Sequence, residues 1–285
     1  TANSSPPIRA TISSDLAAQD AFVISARIDP ATTIAMWSFC ELCLWSLDMN
    51  DINQTAFSSS LPFSRQTEKR RIISSQDLMT AKVLLAYQPI MNVAQDRVCW
   101  REGAARLVLA DNTVLAPGEL SAGHARSKIM HMIDISVLDR LERDLQQNPD
   151  LFATINVPLE SIANFEWHAR FRELVGDGSR FPGRIVVEID EASTGSMPVL
   201  IADFMKYFQR RGVLFALDNF GKDKTSLKNL VDFLFDFIKI DQFFVRDIQR
   251  SADKQVIIHA INGIARELDA VCIAEKVETE QESET

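Results

Sequence analysis

The chain has 285 residues, of which 46% are hydrophobic and 24% charged, and its formal net charge is −9. This composition is typical of a globular protein with one large domain and a smaller additional piece. The acidic balance argues against DNA or RNA binding as the main activity, because non-specific nucleic-acid binding needs a basic surface.

Residues 1–75 differ from the rest in their sequence pattern, and we interpret them as a small N-terminal α/β segment. They contain a predicted strand at 22–29, a predicted helix near 32–48 and a charged linker at 66–71. The longest apolar stretch, 34–47, is too short to span a bilayer and carries Glu41, so we expect a cytoplasmic protein. The chain begins without a methionine and is interpreted as an excerpt, so a membrane anchor outside it stays open.

Cysteine and histidine spacing gives little support for a zinc or redox site. Cys40 and Cys43 form a CxxC pair, but it lies in an apolar helical pattern without a second pair or a nearby histidine. Free cysteines are commonly buried, so we interpret both as core residues. The four histidines are scattered and are interpreted as structural.

From residue 76 onward, predicted strands alternate with predicted helices. Strands are expected at 83–90 and 97–110, followed by a long amphipathic helix at 129–147. Five short apolar strands then follow, with helices at 198–211 and 254–268 between them. Near-continuous apolar strands alternating with helices predict a parallel sheet covered by helices, which we assign to residues 76–285.

Each of these five strands ends in polar residues, namely Asn156, Glu188, Asp218, Lys239 with Asp241, and Glu275. In a (β/α)8 barrel the C-terminal strand ends converge on one face, where the active site lies. Strands that simply fray into polar loops would explain one or two such residues, but they explain five in series less well. Glu102 and Arg106 share one face of their strand and join the group if that face is the barrel interior. A buried Lys239 needs a carboxylate or phosphate partner.

In order and spacing, these segments resemble the EAL domains, which are bacterial cyclic di-GMP phosphodiesterases and their inactive relatives. The matching segments are YQPI (87–90), EGAAR (102–106), INV (155–157), VEIDE (187–191), LDNFG (217–221), SLKNL (226–230), KID (239–241) and AEKVET (274–279). The resemblance implies a TIM-like (β/α)8 barrel whose first strand is antiparallel to the others. It also implies a two-metal Mg²⁺ or Mn²⁺ site, hydrolysis of cyclic di-GMP and a homodimer formed through the barrel.

Carried over by position, the resemblance also implies residue roles. One metal would be held by Glu102, Asn156, Glu188 and Asp218, and the other by Asp218, Asn219 and Glu275. The catalytic residues would be Lys239 near the attacking water, Glu275, and Glu278 as support. Cyclic di-GMP would be contacted by Gln88, Arg106 and Asp241.

The sequence also departs from the family pattern. Asn219 stands where the family has a second consecutive Asp, so the second metal is expected to bind more weakly. The signature Glu-Ala-Leu is Glu-Gly-Ala at 102–104, and the loop at 222–226 differs as well. The resemblance stops before the family's last strand, so only seven barrel strands are predicted and the domain is expected to be C-terminally incomplete.

Three interpretations of function stay open. The first, which we favour, is a degenerate EAL domain that binds cyclic di-GMP and signals with weak or no hydrolysis. The second is an active metal-dependent phosphodiesterase that produces pGpG. The third is a protein-interaction scaffold without nucleotide binding. Residues 1–75 are interpreted as a remnant of a degenerate GGDEF domain and its linker, a type of domain that often precedes EAL domains.

Overall fold

The computed structural model describes the backbone of Val23–Ala26 and residues 80–120, 126–177, 180–222 and 227–285. In this part of the chain the strands are β1 (Val23–Ala26), β2 (Lys82–Asn92), β3 (Arg97–Val108), β4 (Val114–Leu115), β5 (Ala153–Asn156), β6 (Ile185–Asp190), β7 (Leu214–Phe220), β8 (Phe237–Ile240) and β9 (Val271–Val277). The helices are α1 (Arg126–Gln147), α2 (Leu159–Ile162), α3 (Phe165–Val175), α4 (Glu191–Thr194), α5 (Pro198–Gln209), α6 (Leu227–Asp232), α7 (Gln242–Val245), α8 (Ala252–Glu267) and α9 (Glu280–Ser283).

The predicted alternation of strands and helices is confirmed, with boundaries displaced by a few residues. The predicted helix near 32–48, the Cys40–Cys43 pair, the charged linker at 66–71 and most of the loop at 222–226 lie outside the described residues. No helix among the described residues is long and apolar enough to cross a membrane.

The sheet closes into a barrel. Its strand order is β2-β1-β9-β8-β7-β6-β5-β3-β4, and β2 pairs with β3 as well, which closes the ring and leaves short β4 beside it. The pairs from β3 through β5, β6, β7 and β8 to β9 are all parallel, whereas β2 is antiparallel to β3. This is the TIM-like barrel with an antiparallel first strand that the sequence predicts.

The eighth place in the barrel is taken by a strand of the N-terminal segment. Residues 76–285 supply seven strands of the ring, as predicted, and β1 lies between β2 and β9. It runs antiparallel to β2 and parallel to β9, where the Cα of Ser25 is level with that of Glu275. The predicted strand at 22–29 is therefore present as Val23–Ala26. The division of the chain at residue 75 stays a prediction.

An aromatic layer fixes helices α3 and α5 on the strands that carry the polar residues. Trp167 and Phe171 stack with ring centroids 5.0 Å apart, and Phe171 contacts Phe208 at 4.6 Å. Phe204 of α5 meets Phe215 of β7 edge-on at 5.7 Å. Such large buried rings dominate core energetics and prefer offset or edge-on contacts. The contact of Phe204 with Phe215 thus packs α5 against β7, the strand that carries Asp218 and Asn219.

The barrel interior is apolar on one side of the site. One cluster of buried side chains fills this region and consists of Ile90, Trp100, Val186, Leu214, Ala216, Phe237 and Ile273. The rings of Trp100 and Phe237 are 4.9 Å apart and edge-on. A cavity of about 10 Å³ lies among these side chains and is also lined by Thr154 and Glu188.

A candidate active site around Lys239

A buried lysine binds four carboxylates at the C-terminal ends of the barrel strands. Lys239 of β8 is 1% exposed. Its Nζ lies 3.2 Å from Glu102 Oε2, 2.8 Å from Glu188 Oε2, 3.0 Å from Asp218 Oδ1 and 3.0 Å from Glu275 Oε1. We call these five residues the Lys239 cluster. A buried lysine is expensive unless it is paired, so these contacts explain why it is tolerated.

The register of the parallel strands brings the cluster together. Glu102 is level with Thr154 across β3 and β5, and Asn156 is level with Glu188 across β5 and β6. Because parallel neighbours in a barrel keep their C-terminal ends on one face, side chains from different strands meet there. Glu102 and Lys239 are 137 residues apart in the chain and are in contact only through this arrangement.

The cluster has four carboxyl groups around one ammonium group. Burial raises the pKa of Glu188 to about 8; Lys239 opposes this rise, and Glu102 and Asp218 add to it. Burial likewise raises the pKa of Glu275 to about 7, against the effect of Lys239. Burial alone would lower the pKa of Lys239, but the four carboxylates hold it well above its usual value. Lys239 is therefore a cation, and the carboxylates need protons or further positive charge.

Two asparagines contact Asp218 from the sides. The Nδ2 of Asn156 donates to Asp218 Oδ2 at 3.3 Å, and the Nδ2 of Asn219 donates to the same oxygen at 2.9 Å. Asn219 also donates to Asp190 Oδ2 at 2.9 Å. Each amide therefore presents its nitrogen, not its oxygen, to the carboxylate of Asp218.

The other predicted site residues lie around the cluster. Gln88 of β2 is level with Glu102 across the β2–β3 ladder. The half-buried Arg106 lies further along β3 and donates from Nη1 to the carbonyl of Ala105 at 2.8 Å. The buried Asp241 follows β8 and its Oδ1 accepts from Phe243 N at 2.8 Å, which caps α7. Its predicted role in ligand binding has no direct contact in support.

Glu278 lies just beyond the end of β9, outside the buried part of the cluster. Its side chain is 45% exposed and its Oε2 is 4.0 Å from Arg246 Nη2. Its predicted supporting role in catalysis stays a prediction, as do the roles of the other site residues.

The donor set fits a hard divalent cation, although its present arrangement surrounds Lys239. Carboxylate and amide oxygens are the ligands that Mg²⁺ and Mn²⁺ prefer. The ratio of four carboxyl groups to one ammonium points the same way, and Glu275 Oε2 is buried without a hydrogen-bond partner. In the described part of the chain, no three Asp, Glu, His or Cys residues are grouped as ready metal ligands. The four carboxylates converge on the ammonium of Lys239 instead.

Comparison with known proteins identifies the family. The model of the EAL domain family matches residues 73–285, which is most of the chain. The chain belongs to the EAL domain family. The Lys239 cluster thus lies at the face of an EAL barrel where the resemblance places the metal and substrate residues.

Individual relatives of this EAL domain are distant. It is 25% identical over 229 residues to the cyclic di-GMP phosphodiesterase PdeB of Shewanella oneidensis, covering 78% of this chain and 26% of the relative. It is 26% identical over 208 residues to an uncharacterized signaling protein of Caulobacter vibrioides, covering 73% of this chain and 26% of that protein. The match therefore covers about a quarter of the length of each of these two relatives.

Solved structures share the fold of this EAL domain. The FimX EAL domain of Xanthomonas citri in complex with c-diGMP has a TM-score of 0.63 at 22% identity, over 71% of this chain and 80% of that one. The manganese and cy-diGMP complex of BlrP1 from Klebsiella pneumoniae has a TM-score of 0.58 at 24% identity, over 75% of this chain and 52% of that one.

Two contributors to the site of this EAL domain were missed in the sequence. Thr154 Oγ1 donates to Glu188 Oε1 at 2.5 Å and thereby holds that carboxylate toward Lys239. Its position two residues before Asn156 on the same strand is a signal that could have been used, since alternate residues share a face. The second contributor, Asp190, lies within the matching segment VEIDE, but its side-chain contact with Asn219 depends on the β6–β7 register and could not be predicted from the sequence.

Proposed function

We propose that this EAL domain is a cyclic di-GMP receptor that hydrolyses its ligand weakly or not at all. The observation that carries the proposal is the orientation of Asn219, whose amide nitrogen donates to Asp218 and Asp190. A second cation beside Asp218 needs oxygen ligands there, and preferably anionic ones. This amide instead offers hydrogens at the point where the family has a carboxylate.

The remaining residues suit an anionic cyclic dinucleotide. Glu102, Glu188 and Asp218 would hold one Mg²⁺ or Mn²⁺ ion, and Asn156 would join them by giving up its 3.3 Å contact with Asp218 and turning its amide oxygen toward the ion. A divalent cation held by these oxygens supplies Lewis-acid stabilisation of the charge on a phosphodiester. Arg106 would bind a phosphate, because its planar guanidinium can donate two parallel hydrogen bonds. Gln88, level with Glu102, would contact the ligand from the neighbouring strand.

Lys239 has a distinct part in this proposal. In the metal-free protein it links the four carboxylates and keeps their strands together. When a cation binds these oxygens, the ammonium would turn toward the phosphodiester or toward the water next to it. In the metal-free cluster the four carboxylates raise its pKa and keep it protonated, so there it can stabilise negative charge but cannot act as a general base near neutral pH.

A second candidate function is an active phosphodiesterase. It is favoured by the convergence of Glu102, Glu188, Asp218 and Glu275 on one point of the barrel. The relative PdeB of Shewanella oneidensis is named a cyclic di-GMP phosphodiesterase. On this alternative, Asn219 would turn its amide oxygen toward the second cation, and the reaction would produce linear pGpG.

Calorimetric titration of cyclic di-GMP into the 285-residue chain tests the proposal. It is done first in EDTA and then with Mn²⁺, and the final mixture is analysed for pGpG. Binding without rapid release of pGpG is expected, and Arg106→Ala should weaken binding, whereas Arg143→Ala on the outer helix α1 should leave it unchanged. Multiple-turnover, Mn²⁺-dependent formation of pGpG would establish the second candidate. The absence of binding in both conditions would contradict both candidate functions and leave the interpretation as a protein-interaction scaffold.

A further inference from the structure

Asn219 has an unusual backbone conformation that fixes its side chain. It is the second-last residue of β7, and its φ of 56° lies in the left-handed region. Among residues other than glycine, Asn and Asp adopt this conformation most readily. Its carbonyl accepts from Lys222 N at 3.1 Å, which holds the chain in a turn as it leaves the strand. The side chain is thereby directed sideways toward β6.

The orientation of the Asn219 amide follows from its neighbours. Its Nδ2 is 2.9 Å from Asp218 Oδ2 and 2.9 Å from Asp190 Oδ2. An ionised carboxylate accepts hydrogen bonds and cannot donate them. The amide must therefore place its NH₂ group, with its two hydrogens, between the two carboxylates. The opposite orientation would set a carbonyl oxygen against two negative charges.

Asp190 is itself held in place from two directions. It is level with Asp218 across β6 and β7. Its Oδ1 accepts from Ala192 N at 2.9 Å at the start of α4, which leaves Oδ2 to face Asn219. Asp190 therefore cannot swing away from Asp218 without losing its bond to α4. Two carboxylates fixed so close together repel each other unless a cation or a donor lies between them.

We propose that the Asn219 amide bridges Asp218 and Asp190 in the place of a second cation, which makes Asp190 a positioning residue for Asp218. The two amide hydrogens supply the positive ends that the cation would otherwise provide. Asp218 then presents its Oδ1 to Lys239 and its Oδ2 to the asparagines without help from a second ion. The site is built for one cation, with the second cation replaced by a part of the chain.

This inference rests on the proposed function, because it explains how a receptor site keeps its shape with fewer ions. Its test uses no nucleotide, so its failure is distinguishable from a failure of cyclic di-GMP binding. The variants are Asn219→Asp, Asp190→Asn and the double exchange, each made in the 285-residue chain. Asp also tolerates the left-handed conformation, so Asn219→Asp changes charge without backbone strain.

Asn112→Asp is the matched control. Asn112 has a φ of 62°, is exposed, and lies in the turn between β3 and β4, away from the cluster. It undergoes the same change of side chain in the same backbone conformation. Any effect of a left-handed Asp as such will therefore appear in this control.

Thermal unfolding in EDTA is the first readout. Asn219→Asp should lower the melting temperature by about 5 °C or more relative to Asn112→Asp, because two charge-assisted hydrogen bonds become repulsive contacts. The double exchange should recover most of this loss, because an amide at 190 can donate to the new carboxylate at 219. Equal melting temperatures for Asn219→Asp and Asn112→Asp, or no recovery in the double exchange, would overturn the proposal.

The number of Mn²⁺ ions bound per chain, counted by electron paramagnetic resonance, is the second readout. A merely structural bridge would not alter this number. Asn219→Asp should bind one Mn²⁺ more than the unaltered chain, and Mn²⁺ should raise its melting temperature by more. If both proteins bind the same number of ions, the bridge does not stand in the place of a cation.

Discussion

Replacement of Lys239 by methionine removes the ammonium that four carboxylates share. Methionine has a similar length and keeps the packing, so the change is mainly one of charge. Lys239 is 1% exposed and Glu188 is fully buried, so the charges left behind are out of water. Breaking a buried ion pair by removing one partner costs about 3–5 kcal/mol of the free energy of unfolding. Lys239→Met should cost that amount at pH 8 in EDTA.

Urea denaturation measures this loss, with the midpoint urea concentration and the m-value fitted together. Lys206→Met, an exposed lysine on α5, is the control and should change stability by less than about 0.5 kcal/mol. Mn²⁺ should restore most of the stability of Lys239→Met, because the same oxygens can bind it. The loss should also shrink toward pH 5, where Glu188 and Glu275 take up protons. A loss no larger than that of the control would refute the claim that Lys239 is the counter-ion of the cluster.

Three further predictions concern pH, the turn after β7 and the closing strand. Burial raises the pKa of Glu188 to about 8 and of Glu275 to about 7 from 4.5, so their contribution to stability is full below 4.5 and is lost as pH rises through the raised values. The free energy of unfolding in EDTA should therefore fall between about pH 5 and pH 8, by up to about 1.4 kcal/mol per pH unit for each group, and a flat profile would contradict this. Gly221→Ala should lower the free energy of unfolding by about 1–3 kcal/mol in the same urea assay, because the φ of Gly221 is 91° and an added Cβ would lie 2.4 Å from the ring of Phe244 in α7. Gly263→Ala is the control and should not destabilise, because an added Cβ there has no atom within 4 Å. Ile24→Pro should lower the melting temperature because proline removes an N–H from a strand between two neighbours, and an unchanged value would place β1 outside the folded barrel.

The order of elements could be predicted from the sequence, because it is written in local patterns. Strands such as β6 and β7 are continuous apolar runs that end at a carboxylate, and their burial on both faces is what a helix-covered parallel sheet requires. The place of β1 could not be predicted in this way. Its partners are 50 or more residues away along the chain, and no local periodicity records which edge a short strand will join.

The meeting of polar side chains at one end of the barrel could be predicted, but their individual contacts could not. Polar strand ends in a parallel barrel indicate which side chains meet, and Glu102, Glu188, Asp218 and Glu275 do meet at Lys239. The contact of Asn219 with Asp190, a residue given no role in the sequence analysis, depends on the β6–β7 register and on the left-handed backbone of Asn219. Both are properties of the folded chain. Arg106 and Glu278 share the predicted face or strand end but have their contacts elsewhere.

The most direct test of the account is a crystal structure of the chain with Mn²⁺ and cyclic di-GMP, with anomalous data at the manganese edge. The account predicts an anomalous peak in contact with Glu102, Glu188 and Asp218, Lys239 turned away from these oxygens, and intact nucleotide above the cluster at the C-terminal strand ends. Nucleotide bound elsewhere on the molecule, or a Lys239 cluster unchanged and without a manganese peak, would contradict the assignment of this face as the ligand site.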